Sequence, residues 1–215
     1  MARYQKRDKP LMKNDFVIYS RNRDYQSILE KETYYAIGMD PAPKNFGFGI
    51  EKRSSVNLAQ TITLFKFGVK WTANAEDKSI PAFVHFVNKL GEYSEWWECI
   101  EIIYIEEQMN INSDATAMLN MALTYFTIHC PDAVILQINA KIKGKVLNAP
   151  PSLSHHGMKK WAVGYAPEIL AMRGDDFGLK QIKKRAGMGA SANKTDDKCD
   201  VVCTIEAAEQ YLREL

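Results

Sequence analysis

The order of strand-like and helix-like segments constrains the fold of this chain more than any other feature. Three strand-like runs, each with β-branched or aromatic residues, follow one another across short connections; they lie at residues 34–40, 45–50 and 61–69. This spacing is typical of a three-strand meander. Two later strands alternate with helical segments; the strands lie at 100–105 and 133–138, and the helices at 80–90, 113–129, 153–172 and 195–215. The order βββ-α-β-α-β-α-α predicts an α/β domain.

Composition excludes several other classes of protein. The chain has 215 residues, of which 46% are hydrophobic and 25% charged, and these values argue against a disordered chain, a collagen-like repeat or a coiled-coil rod. The four cysteines form no CxxC pair and show no zinc-site spacing, so we expect reduced thiols in an intracellular protein. The basic N-terminus lacks the apolar core of a secretion signal. We interpret residues 1–33 as a basic N-terminal extension, with a short helix near residues 25–31, and 34–215 as one domain.

Acidic residues fall at the places where elements of such a fold begin or end. Asp40 ends the first strand, Glu106 ends a later one, and Asp197 and Asp200 lie three residues apart at the start of the last helix. A spacing of three places both aspartates on one helix face. Each acid alone is an ordinary turn or helix-start residue, but four gathered carboxylates need cations between them. Oxygen ligands suit Mg²⁺ or Mn²⁺, and two such ions about 4 Å apart can promote phosphodiester hydrolysis.

Basic residues are concentrated late in the chain. Between residues 141 and 198 there are twelve Lys and Arg against five Asp and Glu, whereas residues 71–116 carry nine acids against two lysines. The formal net charge of +2 therefore conceals two segments of opposite charge. Lys141, Lys143 and Lys145 alternate, so a strand-like segment would point all three to one side. A basic run is usually a solvated surface, but beside a carboxylate-rich edge it favours binding of DNA phosphates.

Three ordered motifs carry a resemblance to a known family. The segment IGMDPAPKNFGFGI at 37–50, the segment IYIEEQMN at 103–110 and the segment KTDDKCDVVCTIEAA at 194–208 resemble the motifs of RuvC-like Holliday junction resolvases, members of the RNase H-like superfamily. The resemblance covers about residues 34–212 and is closest to the resolvases of large DNA viruses, of the poxvirus type, and of fungal mitochondria. It implies an RNase H-like fold with a mixed five-stranded sheet, in which a three-strand meander and two parallel strands are flanked by helices.

The resemblance also implies an activity. It predicts a magnesium-dependent, structure-selective DNA endonuclease that resolves four-way junctions by paired symmetric nicks and leaves a 5′-phosphate and a 3′-hydroxyl. Asp40, Glu106, Asp197 and Asp200 would be the catalytic ligands of two Mg²⁺ ions, for which Mn²⁺ substitutes. Glu107 remains an alternative to Glu106, and Asp196 an alternative to Asp197. The predicted DNA-binding residues are Lys141, Lys143, Lys145, Lys183, Lys184, Arg185 and Lys194.

The implied partners are branched DNA and a second copy of the chain. The resemblance places a two-fold dimer interface on the helix at 113–129, since two symmetric strands must be cut. The expected compartment is that of viral DNA replication for a viral protein, or the mitochondrion for a fungal one, without a membrane. Met109 and Ile111 are candidates to wedge between unstacked bases. His155 and His156 are expected to be neighbours of phosphate rather than general bases.

Two other functions compete with junction resolution. One is a different RNase H-like nuclease, which cuts flaps or RNA–DNA hybrids, and a comparison of substrates separates it. The other is a non-catalytic DNA-junction-binding module, although the presence of all four acids argues against it. The sequence GDDFG at 174–178 superficially resembles a kinase motif, but no glycine-rich phosphate loop accompanies it, so we discard a kinase.

Overall fold

The computed structural model describes residues 15–19, 24–42, 45–56, 58–68, 82–108, 112–183 and 195–215. The strands are β1 Phe16–Ile18, β2 Tyr34–Asp40, β3 Phe46–Arg53, β4 Ala59–Phe67, β5 Ile100–Glu106 and β6 Val134–Ile138. The helices are α1 Tyr25–Leu29, α2 Ala82–Gly91, α3 Ser113–His129, α4 Lys141–Val146, α5 His155–Met172, α6 Asp176–Ile182 and α7 Asp196–Arg213, with a 3₁₀ helix at Ser94–Cys99.

The strands form one mixed sheet in the order β1-β6-β5-β2-β3-β4. Strands β2, β3 and β4 pair as an antiparallel meander, and β5 and β6 run parallel to β2, so the predicted α/β fold class is confirmed. The predicted number of five strands was wrong. In the described part of the chain there are six, because Phe16–Ile18 pairs antiparallel with β6. A strand of three residues is too short to show a hydrophobic period of two.

Helices cover both faces of the sheet. On one face α7, α5, α4 and α1 share a buried core with residues of β2, β5 and β6. On the other face α2 and α3 pack over the alternate residues of the strands, in a core rich in aromatic rings. Since successive residues of a strand point to opposite faces, Tyr34 and Ala36 face α7, whereas Ile37 and Met39 face α2 and α3.

Helix α7 lies unusually close to the backbone of β2 and β3. A Cβ on Gly38 would sit 2.2 Å from Ile205 Cγ1, and a Cβ on Gly47 would sit 2.9 Å from the carbonyl oxygen of Asp197. A side chain at Gly47 would have to displace the backbone of α7, and one at Gly38 would have to displace the side chain of Ile205. The two glycines therefore fix how closely the first half of α7 approaches the sheet.

A buried ion network fixes the other half of α7. Arg53 of β3 is fully buried and its guanidinium lies 2.9 Å from Glu206 Oε2. Tyr34 and Tyr104 each donate a hydrogen bond of 2.6 Å to the carboxylate of Glu209. Because a buried charge that loses its partner is strongly destabilising, this network resists sliding of α7 along the sheet.

One local prediction was wrong. Residues 141–146 form helix α4 and not a strand-like segment, and Ile142 and Lys143 of this helix are buried. Helix α5 runs unbroken past Pro167. Helix α3 begins after Asn112, whose side chain accepts a hydrogen bond from the Ala115 amide. Within the described residues, no helix is both long and apolar enough to cross a bilayer.

Candidate active site

Two of the predicted acids lie side by side at the end of the sheet. Strands β2 and β5 are parallel neighbours, and Met39 pairs with Ile105, so the following residues Asp40 and Glu106 end adjacent strands. Neighbouring strands are about 4.8 Å apart. The carboxylate of Glu106 faces α7, because its Oε2 accepts a hydrogen bond of 3.2 Å from the Thr204 hydroxyl.

Lys143 of α4 joins this pair of acids to α7. Its ammonium lies 2.7 Å from Glu106 Oε2 and 3.1 Å from Asp200 Oδ1. The side chain of Lys143 is only 10% exposed, and those of Glu106 and Asp200 are 13% and 8% exposed. Lys143 therefore places a positive charge between carboxylates that come from two different elements.

Asp197 forms the other half of the site. Its carboxylate is 1% exposed and faces two ammonium groups, Lys66 Nζ at 3.3 Å from Oδ2 and Lys159 Nζ at 3.5 Å from Oδ1. Lys159 also lies 3.4 Å from Asp196 Oδ2. Lys159 also interacts electrostatically with Asp200 and Asp40, so the four predicted acids and three lysines form one cluster at the end of the sheet, contributed by β2, β4, β5, α4, α5 and α7.

Burial and mutual repulsion perturb the acids. Burial, followed by the charge of Glu106, raises the pKa of Asp40 from 3.8 to about 8, although Lys143 partly offsets both effects. Burial likewise raises the pKa of Asp200, against the opposing charge of Lys143. Burial alone would lower the pKa of Lys143, but Glu106, Asp200 and Asp40 together raise it. Such a cluster binds cations more readily than it holds free negative charge.

The side chains fit a divalent cation in their chemistry. The acidic side chains offer carboxylate oxygens, which suit Mg²⁺ and Mn²⁺, and Lys143 already holds a positive charge between Glu106 and Asp200. The cluster is not a ready-made site, however. Across the described residues, no three His, Cys, Asp or Glu side chains are arranged to hold one ion. A metal site here would be completed as the carboxylates turn toward the ion.

The structure separates the alternatives that the sequence left open. Glu107 is exposed, and its carboxylate accepts a hydrogen bond of 2.8 Å from Asn139, away from the cluster. Asp197 is the most deeply buried of the acids, whereas Asp196 contacts the cluster through Lys159. The geometry favours Glu106 and Asp197, and their roles as ligands remain predictions.

The predicted DNA-binding residues do not share one position. Lys141 and Lys183 are exposed, whereas Lys145 pairs with Asp15 at 3.0 Å and Lys143 is buried in the acid cluster. The expectation that Lys141, Lys143 and Lys145 share one side was wrong for Lys143, because the segment is helical and two residues turn the helix by about 200°. Outside the described residues lie Lys184, Arg185, Lys194, Met109 and Ile111. His155 and His156 are exposed at the start of α5.

Sequence reasoning did not place four residues in the acid cluster. Lys143 was expected on a DNA-binding surface, and Lys66 and Lys159 were not singled out. Gln108, two residues after Glu106, donates a hydrogen bond of 3.3 Å to Asp40 Oδ1. A signal existed for Lys66, since it lies two residues after the buried Leu64 and so shares its face of β4.

Comparison with known proteins places this geometry among known folds. No protein-family model matches the chain. An uncharacterised protein, 97L of Invertebrate iridescent virus 3, is 29% identical over 168 residues, which are 75% of this chain and 76% of that protein. Thermus thermophilus RuvC superposes with a TM-score of 0.55 at 13% identity, over 84% of this chain and 96% of RuvC. The chain has the fold of the RuvC-like resolvases.

Eukaryotic and viral structures share this RuvC-like fold. The yeast mitochondrial Holliday junction resolvase Ydc2 gives a TM-score of 0.55 at 14% identity, over 88% of this chain and 84% of Ydc2. Fowlpox virus resolvase, in a complex with Holliday junction DNA, gives 0.51 at 14% identity, over 84% of this chain and 99% of the resolvase. The predicted resemblance to viral and mitochondrial resolvases is confirmed at the level of the fold.

Proposed function

We propose that the protein is a structure-selective DNA endonuclease that resolves four-way junctions with the help of Mg²⁺. One observation carries the proposal: the acids Asp40, Glu106, Asp197 and Asp200 meet at one end of the sheet although they are up to 160 residues apart in sequence. The likeness to RuvC and to the yeast and fowlpox resolvases supports the same activity. The fowlpox structure and a second structure of Thermus thermophilus RuvC contain Holliday junction DNA.

Divalent ions complete the proposed site. Asp40, Glu106, Asp197 and Asp200 would hold two Mg²⁺ ions, for which Mn²⁺ substitutes. Bound there, the ions would supply the positive charge that activates water on one side of the phosphodiester and stabilises the leaving oxygen on the other. The products would be a 5′-phosphate and a 3′-hydroxyl.

The residues around the acids orient the reactants. Gln108 contacts Asp40 by a hydrogen bond to Oδ1, and Thr204 contacts Glu106 by a hydrogen bond to Oε2, so both carboxylates are kept at the cluster. Lys143 and Lys159 balance the charge of the acids, and in the complex with DNA their ammonium groups face the incoming phosphates. The raised pKa of Asp40 means that cation binding displaces a proton from this carboxyl near neutral pH.

Junction arms are held outside the acid cluster. The exposed Lys141 and Lys183, with Lys184, Arg185, Lys194 and Lys145, would contact phosphates, and specificity would come from junction shape rather than base contacts. Two active sites related by a two-fold axis are needed for paired nicks, and we assign the dimer contact to α3. Its side facing away from the sheet includes the exposed Asn120, Thr124 and Ile128.

Two neighbouring glutamates offer a matched test of the site. Glu106→Gln removes a carboxylate from the cluster, whereas Glu107→Gln alters an exposed carboxylate one residue away. We expect E106Q and Asp40→Ala to abolish cleavage of a four-way junction in Mg²⁺ while both still bind the junction in Ca²⁺. E107Q should cleave at nearly the wild-type rate. Cleavage retained by D40A, or lost equally in both glutamine variants, would contradict the proposal.

The same assay separates the other functions. Flap and RNA–DNA hybrid substrates are offered beside the junction at equal concentration. Faster cleavage of either would identify a different RNase H-like nuclease. Junction binding without turnover in Mg²⁺ or Mn²⁺ would identify a non-catalytic module.

A further inference from the structure

Lys66 reaches the acid cluster from the outermost strand on its side of the sheet. It lies near the end of β4, and its ammonium is 3.3 Å from Asp197 Oδ2. The side chain of Lys66 is 20% exposed, whereas that of Asp197 is 1% exposed. Lys66 is therefore the more solvent-accessible partner of a nearly buried carboxylate.

The backbone between the two residues explains this contact. Lys66 pairs in register with Gly47 of β3, and the first turn of α7 rests on Gly47, where a Cβ would meet the Asp197 carbonyl oxygen at 2.9 Å. Since Gly47 has no side chain, nothing from β3 separates the Lys66 side chain from the first turn of α7. Lys66 thereby contacts Asp197 across the neighbouring strand.

The two oxygens of Asp197 are shared between two cations. Oδ1 faces Lys159 and Oδ2 faces Lys66, so both positions at which a metal ion would approach this carboxylate are near an ammonium group. A divalent cation at Oδ2 repels the Lys66 ammonium, since like charges within about 4 Å raise the energy strongly in a partly buried site. The Lys66 ammonium can move away from Asp197 more easily than that of a deeply buried lysine, because its flexible side chain already reaches solvent.

We propose that Lys66 is a displaceable cation of the Asp197 half of the site. It neutralises Asp197 in the metal-free protein, competes with the divalent cation for that carboxylate, and in the complex with DNA donates a hydrogen bond to a phosphate oxygen of the strand being cut. This inference rests on the proposed function for its DNA step, whereas competition with the metal does not depend on the identity of the substrate.

The proposal predicts effects of opposite sign on metal binding and on cleavage. Removal of the charge in Lys66→Met should tighten binding of Mn²⁺ alone by about fivefold, as expected for loss of one partly exposed competing ion pair. Single-turnover cleavage of a mobile four-way junction at saturating Mn²⁺ should fall by about 10- to 100-fold, as expected for a lost charge-assisted hydrogen bond. Simple damage to the site would instead weaken both.

The experiment measures Mn²⁺ binding by calorimetry and cleavage in single turnover, for the full-length wild type and four variants. Lys66→Arg keeps the charge and should remain within a few-fold of wild type in both measurements. Lys52→Met alters an exposed lysine on the adjacent strand and should change neither. Lys66→Gln provides a second neutral variant, and K66M and K66Q should agree.

Each result decides the inference. Unchanged or weaker Mn²⁺ binding in the neutral variants, unchanged cleavage, or a K66R protein as impaired as K66M would overturn it. Failure of both neutral variants to fold would also overturn it, since Lys66 would then be a structural residue. Absence of junction cleavage in the wild type would refute the proposed function, while tighter Mn²⁺ binding by K66M would still support the competition.

Discussion

Removal of the Lys143 ammonium tests the electrostatic account of the cluster. In Lys143→Met the stem keeps its volume, but Glu106 and Asp200 lose the cation that lies 2.7 and 3.1 Å from them. Loss of one partner of a buried ion pair costs about 3–5 kcal/mol, and the remaining exposure of these side chains places the expected loss near the lower end, at about 3 kcal/mol. The loss of stability should increase with pH, because at lower pH the carboxylates that have lost Lys143 become protonated and so lose their charge.

The assay is urea unfolding at pH 8 in EDTA and again with saturating Mn²⁺. Mn²⁺ should stabilise K143M more than it stabilises the wild type, because the ion then has no competing ammonium between Glu106 and Asp200. Lys141→Met, on the same helix but exposed, is the matched control and should change stability by less than about 0.5 kcal/mol. A loss below about 1 kcal/mol for K143M in EDTA, or no larger gain from Mn²⁺, would refute the reasoning.

Three further predictions follow from contacts in and near the site. Gly47→Ala should lower the free energy of unfolding in urea by about 1–3 kcal/mol and weaken Mn²⁺ binding. The reason is that the added Cβ would lie 2.8 Å from Val201 Cγ2 and would displace the first turn of α7. Unchanged Mn²⁺ affinity would contradict this. The pKa of Asp40 is about 8 in the fold and 3.8 as its ordinary value, so the stability gained from its bound proton is complete below about pH 4 and is lost toward pH 8. Between pH 5 and 8, metal-free Asp40→Asn should therefore lose less stability than the wild type. If the free energies of unfolding of both proteins fall in parallel with pH, this cause is excluded. Asp175→Ala should cost about 3 kcal/mol because it leaves three buried donors without their acceptor, while Asp176→Ala, at an exposed neighbour, should cost little; equal losses would argue against the contact.

The acids and the main strands could be predicted because their signals are local. Asp40 and Glu106 directly follow apolar strand runs, and the spacing of Asp197 and Asp200 places them on one helix face, so topology alone brings them together. The strand β1 could not be predicted, since three residues carry no periodicity and its pairing with β6 is a contact over more than a hundred residues. The same holds for the buried position of Lys143, which depends on how α4 packs against α7.

The structural role of the segment GDDFG at 174–178 depends on its contacts with distant residues. Asp175 begins α6 by accepting a hydrogen bond from the Gly178 amide, and its other oxygen accepts hydrogen bonds from the amide and hydroxyl of Thr61. Thr61 lies beside a register shift between β3 and β4, where ladder pairing is irregular. The motif therefore joins α6 to the outer strand, which no local pattern in the sequence indicates.

The central claim is that the acid cluster cuts branched DNA with a divalent cation. The most direct measurement is single-turnover cleavage of a mobile four-way junction, with products from all four strands resolved in Mg²⁺ and in EDTA. The account predicts paired nicks at symmetric positions on two opposing strands in Mg²⁺, with 5′-phosphate ends, and none in EDTA. Unpaired nicks, cleavage in EDTA, or faster cleavage of a flap or an RNA–DNA hybrid would contradict it.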